Sequence, residues 1–357
     1  MTIKILKKSY IIFLYISVIA IPSLWGSGPG STAFDFLNLP VGAREIGMGV
    51  GTAVSHGPNA YWWNPAGLGY VERYSVSAMH NQYFQDVNQQ RIGFAFPMEN
   101  MAAGGINISI LSVEQIEGYD WYGEPSGTLS ARDYYISYTQ AQRITRYLSG
   151  GLTLKGIFEQ LHEDSVFAVG LDGGVIVEPV EGLWLSGGVK NAGVSGRLVE
   201  EVPSMPVSFF TGLGLRLNKF TLIAADVIYI NDQLRYGGGV EFDLWQSLYF
   251  RGGWNSRSDI DETFRFGGGV RWGDLELDYA LAPFGELGIS HRVDLNFKFG
   301  EPVLIEQMYR KGKKFFKDEQ YRKAWLEFNK VYSLDSNYKR IRNWMERTKN
   351  KRTEFDN

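Results

Sequence analysis

Polar and apolar side chains alternate along most of the chain between residues 74 and 299. In the stretch Gly288 to Phe299 the odd-numbered residues are apolar except for His291, and the even-numbered residues are polar, charged or glycine. Residues 263–272 alternate in the same way, with the apolar residues at even numbers and the arginines at odd numbers. An alternation with period two is typical of β-strands whose two faces meet different surroundings. The pattern therefore predicts a sheet architecture, either a soluble sandwich or a closed barrel.

Turn residues divide this region into fourteen predicted strands. Most are near or above the 9 to 11 residues that a tilted membrane strand requires, and an even strand number is typical of bacterial outer-membrane barrels. The strands are predicted at residues 74–84, 90–98, 101–117, 129–144, 148–161, 165–179, 183–192, 206–217, 220–231, 233–244, 247–256, 263–272, 275–283 and 288–299.

The lengths of the connections distinguish a barrel from a sandwich. Every even-numbered predicted strand is followed by a short turn such as Glu99-Asn100, whereas the longest connections, Gly118–Thr128 and Gly193–Met205, follow odd-numbered strands. Outer-membrane barrels have short periplasmic turns and longer extracellular loops, and a sandwich has no reason to separate them. The sequence therefore predicts an all-β transmembrane barrel of about fourteen antiparallel strands over residues 71–300.

The alternation also predicts which side chains face the lipid and which face the lumen. Arginine, aspartate and lysine are costly on the lipid face of a barrel, so the charged positions are assigned to the lumen. The predicted lipid-facing residues are Phe264, Phe266, Val270, Trp272, Val293, Leu295 and Phe297. The predicted lumenal residues are Arg265, Arg271, Arg292, Asp294 and Lys298.

The chain begins with a feature of exported proteins. Lys4, Lys7 and Lys8 precede the apolar run Tyr10–Ile21, which is too short for a comfortable helical membrane span. Residues 1–26 are therefore predicted to be a signal peptide. Because the sequence contains no cysteine, a disulfide scaffold, a thiolate metal site and a lipid anchor on cysteine are all excluded.

Residues 301–357 differ from the barrel in both charge and periodicity. They contain 15 Lys or Arg against 9 Asp or Glu, while residues 27–300 carry a net charge of −12. The spacing of their apolar residues resembles that of a tetratricopeptide helix pair, although Lys311 and Ser336 depart from that pattern. Residues 338–351 are predicted to form a third helix. The residues that carry the resemblance are Met308, Gly312, Phe315, Ala324, Phe328 and Val331.

An even strand number brings both ends of the barrel to one side, so the tail 301–357 is expected in the periplasm. Its basic surface is either simply solvated or a docking surface for a periplasmic or secreted protein. A nucleic-acid partner is not expected, because an exported chain meets little nucleic acid.

Residues 27–70 are rich in glycine and are expected to form a compact segment, in which Asn64-Pro65 predicts a turn. The motif GAREIGMG at residues 42–49, followed by YWWNPAGL at 61–68, resembles the N-terminal signature of the PorV/PorQ family of FadL-like outer-membrane barrels. The resemblance implies that residues 27–70 are a hatch inside the barrel. At residues 55–60 the family usually has a run of acidic and small residues, which this chain lacks. Any role that the family's acidic residues have is therefore not expected in this chain.

The sequence contains no recognisable catalytic or metal-binding motif. It has no Gly-x-Ser-x-Gly elbow, Walker loop or HExxH motif, and its four histidines lack metal-ligand spacing. Gly47–Gly51 imitates a dinucleotide fingerprint without the strand and helix that give that motif its mechanism. We therefore expect no enzymatic activity, no cofactor and no metal.

Two functions remain open. The first is a FadL-like barrel, embedded in outer-membrane lipid, that passes hydrophobic, fatty-acid-like small molecules across the bacterial outer membrane. The alternative is a PorV-like docking platform for protein secretion or surface attachment. A transporter predicts an apolar pocket between hatch and wall, whereas a platform predicts a sealed lumen. The candidate ligand and hatch residues are Tyr61, Trp62, Trp63, Asn64, Pro65 and Ala66.

The barrel assignment predicts how the protein behaves during purification. We expect it to require detergent for extraction from outer membranes, and to migrate differently on an SDS gel before and after heating, because a closed barrel resists SDS until it is heated. Recovery of a monodisperse protein from the soluble fraction without detergent is the opposite result.

Overall fold

A computed structural model describes residues 34–83, 87–119, 122–162, 164–197, 202–257, 262–284 and 288–355. Fourteen antiparallel strands form a closed barrel in which each strand pairs with its neighbours in sequence and the first pairs with the last. The predicted barrel of about fourteen strands is thus confirmed. In the described part of the chain, no helix is long and apolar enough to cross a membrane. The predicted signal peptide, residues 1–26, lies outside the described residues.

The strands follow one another with few irregularities. They are β1 Tyr74–Gln82, β2 Val87–Pro97, β3 Ala102–Tyr119, β4 Pro125–Thr145, β5 Leu148–Leu161, β6 Asp164–Val180, β7 Leu183–Ser195, β8 Ser208–Asn218, β9 Thr221–Ile230, β10 Gln233–Leu244, β11 Leu248–Arg257, β12 Glu262–Trp272, β13 Leu275–Pro283 and β14 Ile289–Phe299. Before the barrel lie two short α-helices, α1 Ala43–Met48 and α2 Ala60–Trp63, and 3-10 turns at Asp35–Asn38 and Pro65–Tyr70. After the barrel come α3 Val303–Lys317, α4 Tyr321–Leu334 and α5 Ile341–Phe355.

One predicted loop is instead a strand extension. The sequence predicts a connection over Gly118–Thr128, but β3 is 18 residues long and β4 is 21, and they remain paired as far as Tyr119 and Pro125. Glycine and proline are read as turn signals because they weaken an isolated strand. Here the partner strand supplies hydrogen bonds on both sides of the turn, so the ladder continues through Gly118 and Gly127 with register shifts.

The two rims of the barrel differ as predicted. The turns after even-numbered strands contain two to four residues, whereas the connections after odd-numbered strands vary from two residues to the twelve of residues 196–207. We call the first edge the short-turn rim and the second the loop rim. Tyr74 pairs with Phe299, so the chain enters and leaves the barrel at the short-turn rim.

The side chains fall on the two faces that the alternation predicts. All seven predicted lipid-facing residues are between 40% and 83% exposed. Arg265, Arg292 and Asp294 point inward and are at most 4% exposed. Arg271 and Lys298 share this inward face close to the short-turn rim, where each forms a salt bridge with Glu276, at 3.2 and 3.5 Å.

Aromatic side chains mark the outer surface at the short-turn rim. Trp245 and Trp272 are 77% and 83% exposed there. Tyrosine and tryptophan concentrate where a barrel wall passes from hydrocarbon to water, so these residues indicate the level of the membrane surface. We call this set the aromatic girdle; its exposed members are Tyr74, Tyr147, Phe220, Trp245, Trp272 and Phe299.

The tail is helical, as predicted, and has a core of its own. Phe328 of α4 is fully buried, and a Cβ at Gly312 of α3 would lie 2.6 Å from its ring, so only glycine allows the two helices to approach this closely. Glu306 of α3 binds the side chains of Tyr338 and Lys339 and so fastens the turn before α5. Partial burial acts to raise the pKa of Glu306, but hydrogen bonds from Lys339, Tyr338 and Arg310 lower it to about 2.

The assignment of faces can be tested on β14. Leu295→Arg places a charge on the lipid face, and we expect a loss of about 2 to 4 kcal/mol in the free energy of unfolding. Asn296→Arg is the matched control, because Asn296 faces inward opposite Glu276, which can pair with the new charge. The measurement is urea unfolding in lipid vesicles. If Leu295→Arg matches the wild type and Asn296→Arg fails to fold, the two faces are inverted.

Candidate functional site

Residues 34–70, which we call the lumenal segment, lie inside the barrel. Helix α1 contacts β10, β11, β12, β13 and β14, and the 3-10 turn Pro65–Tyr70 contacts β3, β4, β5 and β6. These two groups of strands form opposite parts of the wall. The segment therefore crosses the lumen from one side to the other before it leaves at the short-turn rim to enter β1.

Glycines in the wall create the seat for α1. A Cβ at Gly239 of β10 would lie 2.0 Å from the carbonyl oxygen of Met48, and a Cβ at Gly253 of β11 would lie 2.2 Å from the same carbonyl group. Real Cβ atoms do not approach other atoms so closely, so any side chain at these positions displaces the end of α1. The glycine runs inside the strands thus allow backbone-to-backbone contact between wall and segment.

A buried ionic network fixes α1 to the wall. The guanidinium group of Arg44 donates two hydrogen bonds to Glu241 of β10, at 2.8 and 3.0 Å. Arg251 of β11 donates to the same carboxylate at 2.7 Å and to Asp278 of β13 at 2.5 Å. Bidentate arginine–carboxylate pairs are among the stronger hydrogen bonds in proteins, and breaking a buried pair typically costs about 3 to 5 kcal/mol.

Two further carboxylates hold the middle of the segment. Asp226 of β9 accepts hydrogen bonds from the backbone N–H groups of Gly51 and Thr52, at 2.7 and 3.0 Å, and from the Thr52 hydroxyl at 2.6 Å. Asp294 of β14 accepts one from Asn59 at 2.9 Å. A buried carboxylate is stable only when its charge is compensated in this way. The lumenal segment is therefore tied to β9, β10 and β14 at once.

The turn Asn64-Pro65-Ala66 forms the base of the segment. Asn64 is fully buried; its side chain accepts from the Ala66 N–H at 3.1 Å and donates to the carbonyls of Thr52 and Val175, at 2.9 and 3.2 Å. Ser149 of β5 donates to the Ala66 carbonyl at 2.7 Å. The polar groups of this turn bond to protein, and its three residues do not line the recess described next.

A recess of about 70 Å³ lies between the lumenal segment and the wall. It is close to the loop rim, since Arg235 and Asn255 lie within three residues of the loop-rim ends of β10 and β11. Pockets for small molecules usually measure about 300 to 1,000 Å³, so the recess is small in this state. Its lining residues are Asn38, Pro40, Gly49, Trp62, Trp63, Asp226, Ile228, Arg235, Tyr236, Gly237, Asn255 and Arg265.

The three aromatic residues of α2 have different surroundings. Tyr61 is buried, with its ring 5.9 Å from that of Tyr135 and 5.8 Å from the guanidinium carbon of Arg91. Trp63 is also buried, and its indole N–H donates to the Val41 carbonyl at 2.8 Å. Of the six residues that the sequence singled out, Trp62 and Trp63 line the recess and the other four pack against protein.

Trp62 is the least restrained of the three. It is half-buried, and its ring lies over the ammonium group of Lys190 of β7, with 3.9 Å from Nζ to the ring centre. A cation–π contact of this kind contributes about 0.5 to 2 kcal/mol, less than a buried ion pair. Sequence reasoning missed Lys190, although a lysine at an inward position of a strand is itself an indication of a lumenal role.

Solved structures with the same architecture are channels. The CymD monoaromatic hydrocarbon channel aligns with a TM-score of 0.57 and 12% identity over 74% of this chain and 98% of that chain. The Pseudomonas putida toluene transporter TodX aligns with a TM-score of 0.52 and 12% identity over 72% and 96%. The barrel fold is therefore similar to that of these channels. No family model and no curated protein matches the sequence.

The similarity concerns the barrel, and these neighbours are channels and not enzymes. Among the described residues, no three His, Cys, Asp or Glu side chains are grouped as metal ligands would be. The paired charges of the described lumenal residues are suited to holding the lumenal segment in place, and two indoles lie beside it at the small recess.

The glycine seat predicts a matched pair of variants. Gly253→Ala places a methyl group against the backbone of Met48, and we expect α1 to be displaced and the ion conductance of the barrel in planar bilayers to rise several-fold. Gly252→Ala is the control, because a Cβ there meets no atom within 4 Å. Equal conductance in both variants and in the wild type contradicts a seat made by Gly253.

Proposed function

We propose that this protein passes hydrophobic, fatty-acid-like small molecules across the outer membrane, with residues 27–70 acting as a hatch. The observation that carries the proposal is the recess at the loop rim, where Trp62 and Trp63 of the lumenal segment face the wall. Apolar, aromatic linings with a few polar groups are typical of small-molecule sites. The similarity of the fold to hydrocarbon channels supports the same interpretation.

The strengths of the contacts suggest which part of the hatch moves. The base at Asn64-Pro65-Ala66 and the ion pairs of Arg44 are buried and fully engaged, so displacing them is costly. Trp62 is half-buried and is held by its contact with Lys190, by the edge of the Trp63 ring at 4.7 Å and by apolar packing, and none of these contacts is a buried ion pair. We therefore propose that Trp62 swings away from Lys190 to enlarge the recess, while the base of the hatch stays in place.

A docking platform is the second candidate, and the small volume of the recess favours it. The described lumenal residues leave about 70 Å³ beside the hatch, and a platform needs no larger opening. The PorV/PorQ-like motif at residues 42–68 and the tetratricopeptide-like spacing of the tail support the same alternative. In that case the tail, which we place in the periplasm, and the loop rim contact a periplasmic or secreted protein.

Uptake measurements separate the two functions. In cells that carry Trp62→Ala, we expect uptake of a labelled fatty acid to rise by up to about fivefold, because one cation–π contact no longer holds the recess closed. The matched control is Trp245→Ala, which removes an exposed indole of the aromatic girdle. The double variant Asn64→Ala with Pro65→Ala releases the base, and we expect it to raise passive leak as well as uptake.

The platform predicts a different result. Uptake and leak then stay at wild-type values in all these variants, and deletion of residues 303–355 abolishes secretion or surface attachment of the exported protein that depends on the barrel. That combination rejects transport.

A further inference from the structure

An open cleft of about 580 Å³ lies in the tail, between the end of α3 and helix α5. Its floor is aromatic. The ring of Phe316 lies 5.4 Å from that of Tyr321 and 5.4 Å from that of Trp344, in both cases edge to face. Such a floor offers apolar surface beside solvent, as a site for an amphipathic molecule does.

Cations surround this floor. Lys313, Lys314 and Lys317 line the cleft together with one acid, Glu319. The guanidinium carbon of Arg347 lies 4.8 Å from the centre of the Trp344 ring, and Nζ of Lys313 lies 5.4 Å from it. The cleft is therefore suited to an anion that carries an apolar part.

Two acids of the tail are engaged away from the cleft. Glu306 pairs with Arg310 and Lys339, and Glu327 pairs with Lys330. Within the part of the chain that the structure describes, none of the three cleft lysines forms a salt bridge. Their charges are thus available to a ligand.

The helix α3, whose far end lines this cleft, starts at the rim of the barrel. Only residues 300–302 separate β14 from α3, a span of about 10 to 15 Å at most. The backbone N–H of Val303 donates to the carbonyl of Glu72, just before β1, at 3.0 Å. Helix α3 therefore begins directly at the short-turn rim, beside the aromatic girdle.

A residue further along α3 interacts with a second turn of the same rim. The pKa of Arg310 is raised chiefly by its hydrogen bond and charge interaction with Glu306, and also by the charge of Glu99. Glu99 lies in the turn between β2 and β3, the next turn along the short-turn rim. The first two turns of α3 are therefore close enough to this turn for the charges of Arg310 and Glu99 to interact.

We propose that α3 lies along the short-turn rim and that the tail cleft binds the headgroup of an anionic phospholipid in the adjacent leaflet. The lysines donate to the lipid phosphate, and Trp344 and Phe316 lie at the headgroup level, where aromatic side chains are commonly found. Clusters of Lys and Arg next to a membrane attract anionic lipid by about 1 kcal/mol, or about fivefold, per residue. The inference requires a membrane-embedded barrel but is independent of transport.

The absence of cysteine from the sequence allows a direct test on the full-length protein. Asp318→Cys puts a fluorophore at the exposed end of α3, and the protein is reconstituted in nanodiscs that contain a lipid with a nitroxide on its headgroup. We expect strong quenching when the nanodisc contains phosphatidylglycerol, weak quenching in phosphatidylethanolamine alone, and loss of quenching in high salt, which screens exposed charges.

Charge reversals make the test specific to the cleft. The double variant Lys313→Glu with Lys317→Glu is expected to lower the fraction of tails bound to the membrane surface about tenfold or more. Arg322→Glu with Lys323→Glu changes the charge of the tail equally on exposed positions of α4, and we expect it to retain the quenching. Circular dichroism and heat modification on gels verify that both double variants are folded.

Three results overturn the proposal. The first is quenching that does not depend on phosphatidylglycerol. The second is an equal loss in both double variants, which shows attraction to the net charge alone. The third is a combination of two observations: quenching does not depend on lipid charge, and the protein binds a labelled peptide of alternating Glu and Phe in a way that requires Lys313. The cleft is then a peptide site.

Discussion

The pairing of β1 with β14 is the interaction on which the rest of the structure depends. Inside a bilayer no water is available to the backbone, so every peptide group in the wall needs a partner strand on both sides. The ladder from Tyr74 to Phe299 supplies the last of these partners and removes both edges of the sheet. It also brings the start and the end of the barrel to the same rim, which determines where the lumenal segment enters and where the tail begins.

A closed wall creates a second problem, because fourteen strands enclose a space that their own inward side chains do not fill. Here the space is filled by backbone: glycines of β10 and β11 leave room for Met48, and buried carboxylates bind the arginine, amides and N–H groups of the segment. The charged side chains on the inward face therefore hold the lumenal segment in place. They give the segment one orientation, since each carboxylate has its partner at a single place along it.

Much of this architecture is local in origin and could be predicted from the sequence. Alternation along β14 identified its two faces, and the short turns identified the rims. The extension of β3 and β4 could not be predicted, because Gly118 and Gly127 are weak strand formers whose pairing depends on the partner strand. The candidate site could be predicted only in part, for the same reason. Trp62 and Trp63 belong to a sequence motif, whereas Lys190, more than a hundred residues away, contacts Trp62 only when the barrel is closed.

The direct connection between the lumenal segment and β1 has a consequence for assembly. The segment precedes the first strand, and its contacts with β9, β10, β13 and β14 come from the second half of the chain. Its ion pairs therefore cannot form until those strands have been made, yet the seam between β1 and β14 closes around it. A segment that precedes every strand in the chain is thus among the last parts of the protein to reach its final contacts.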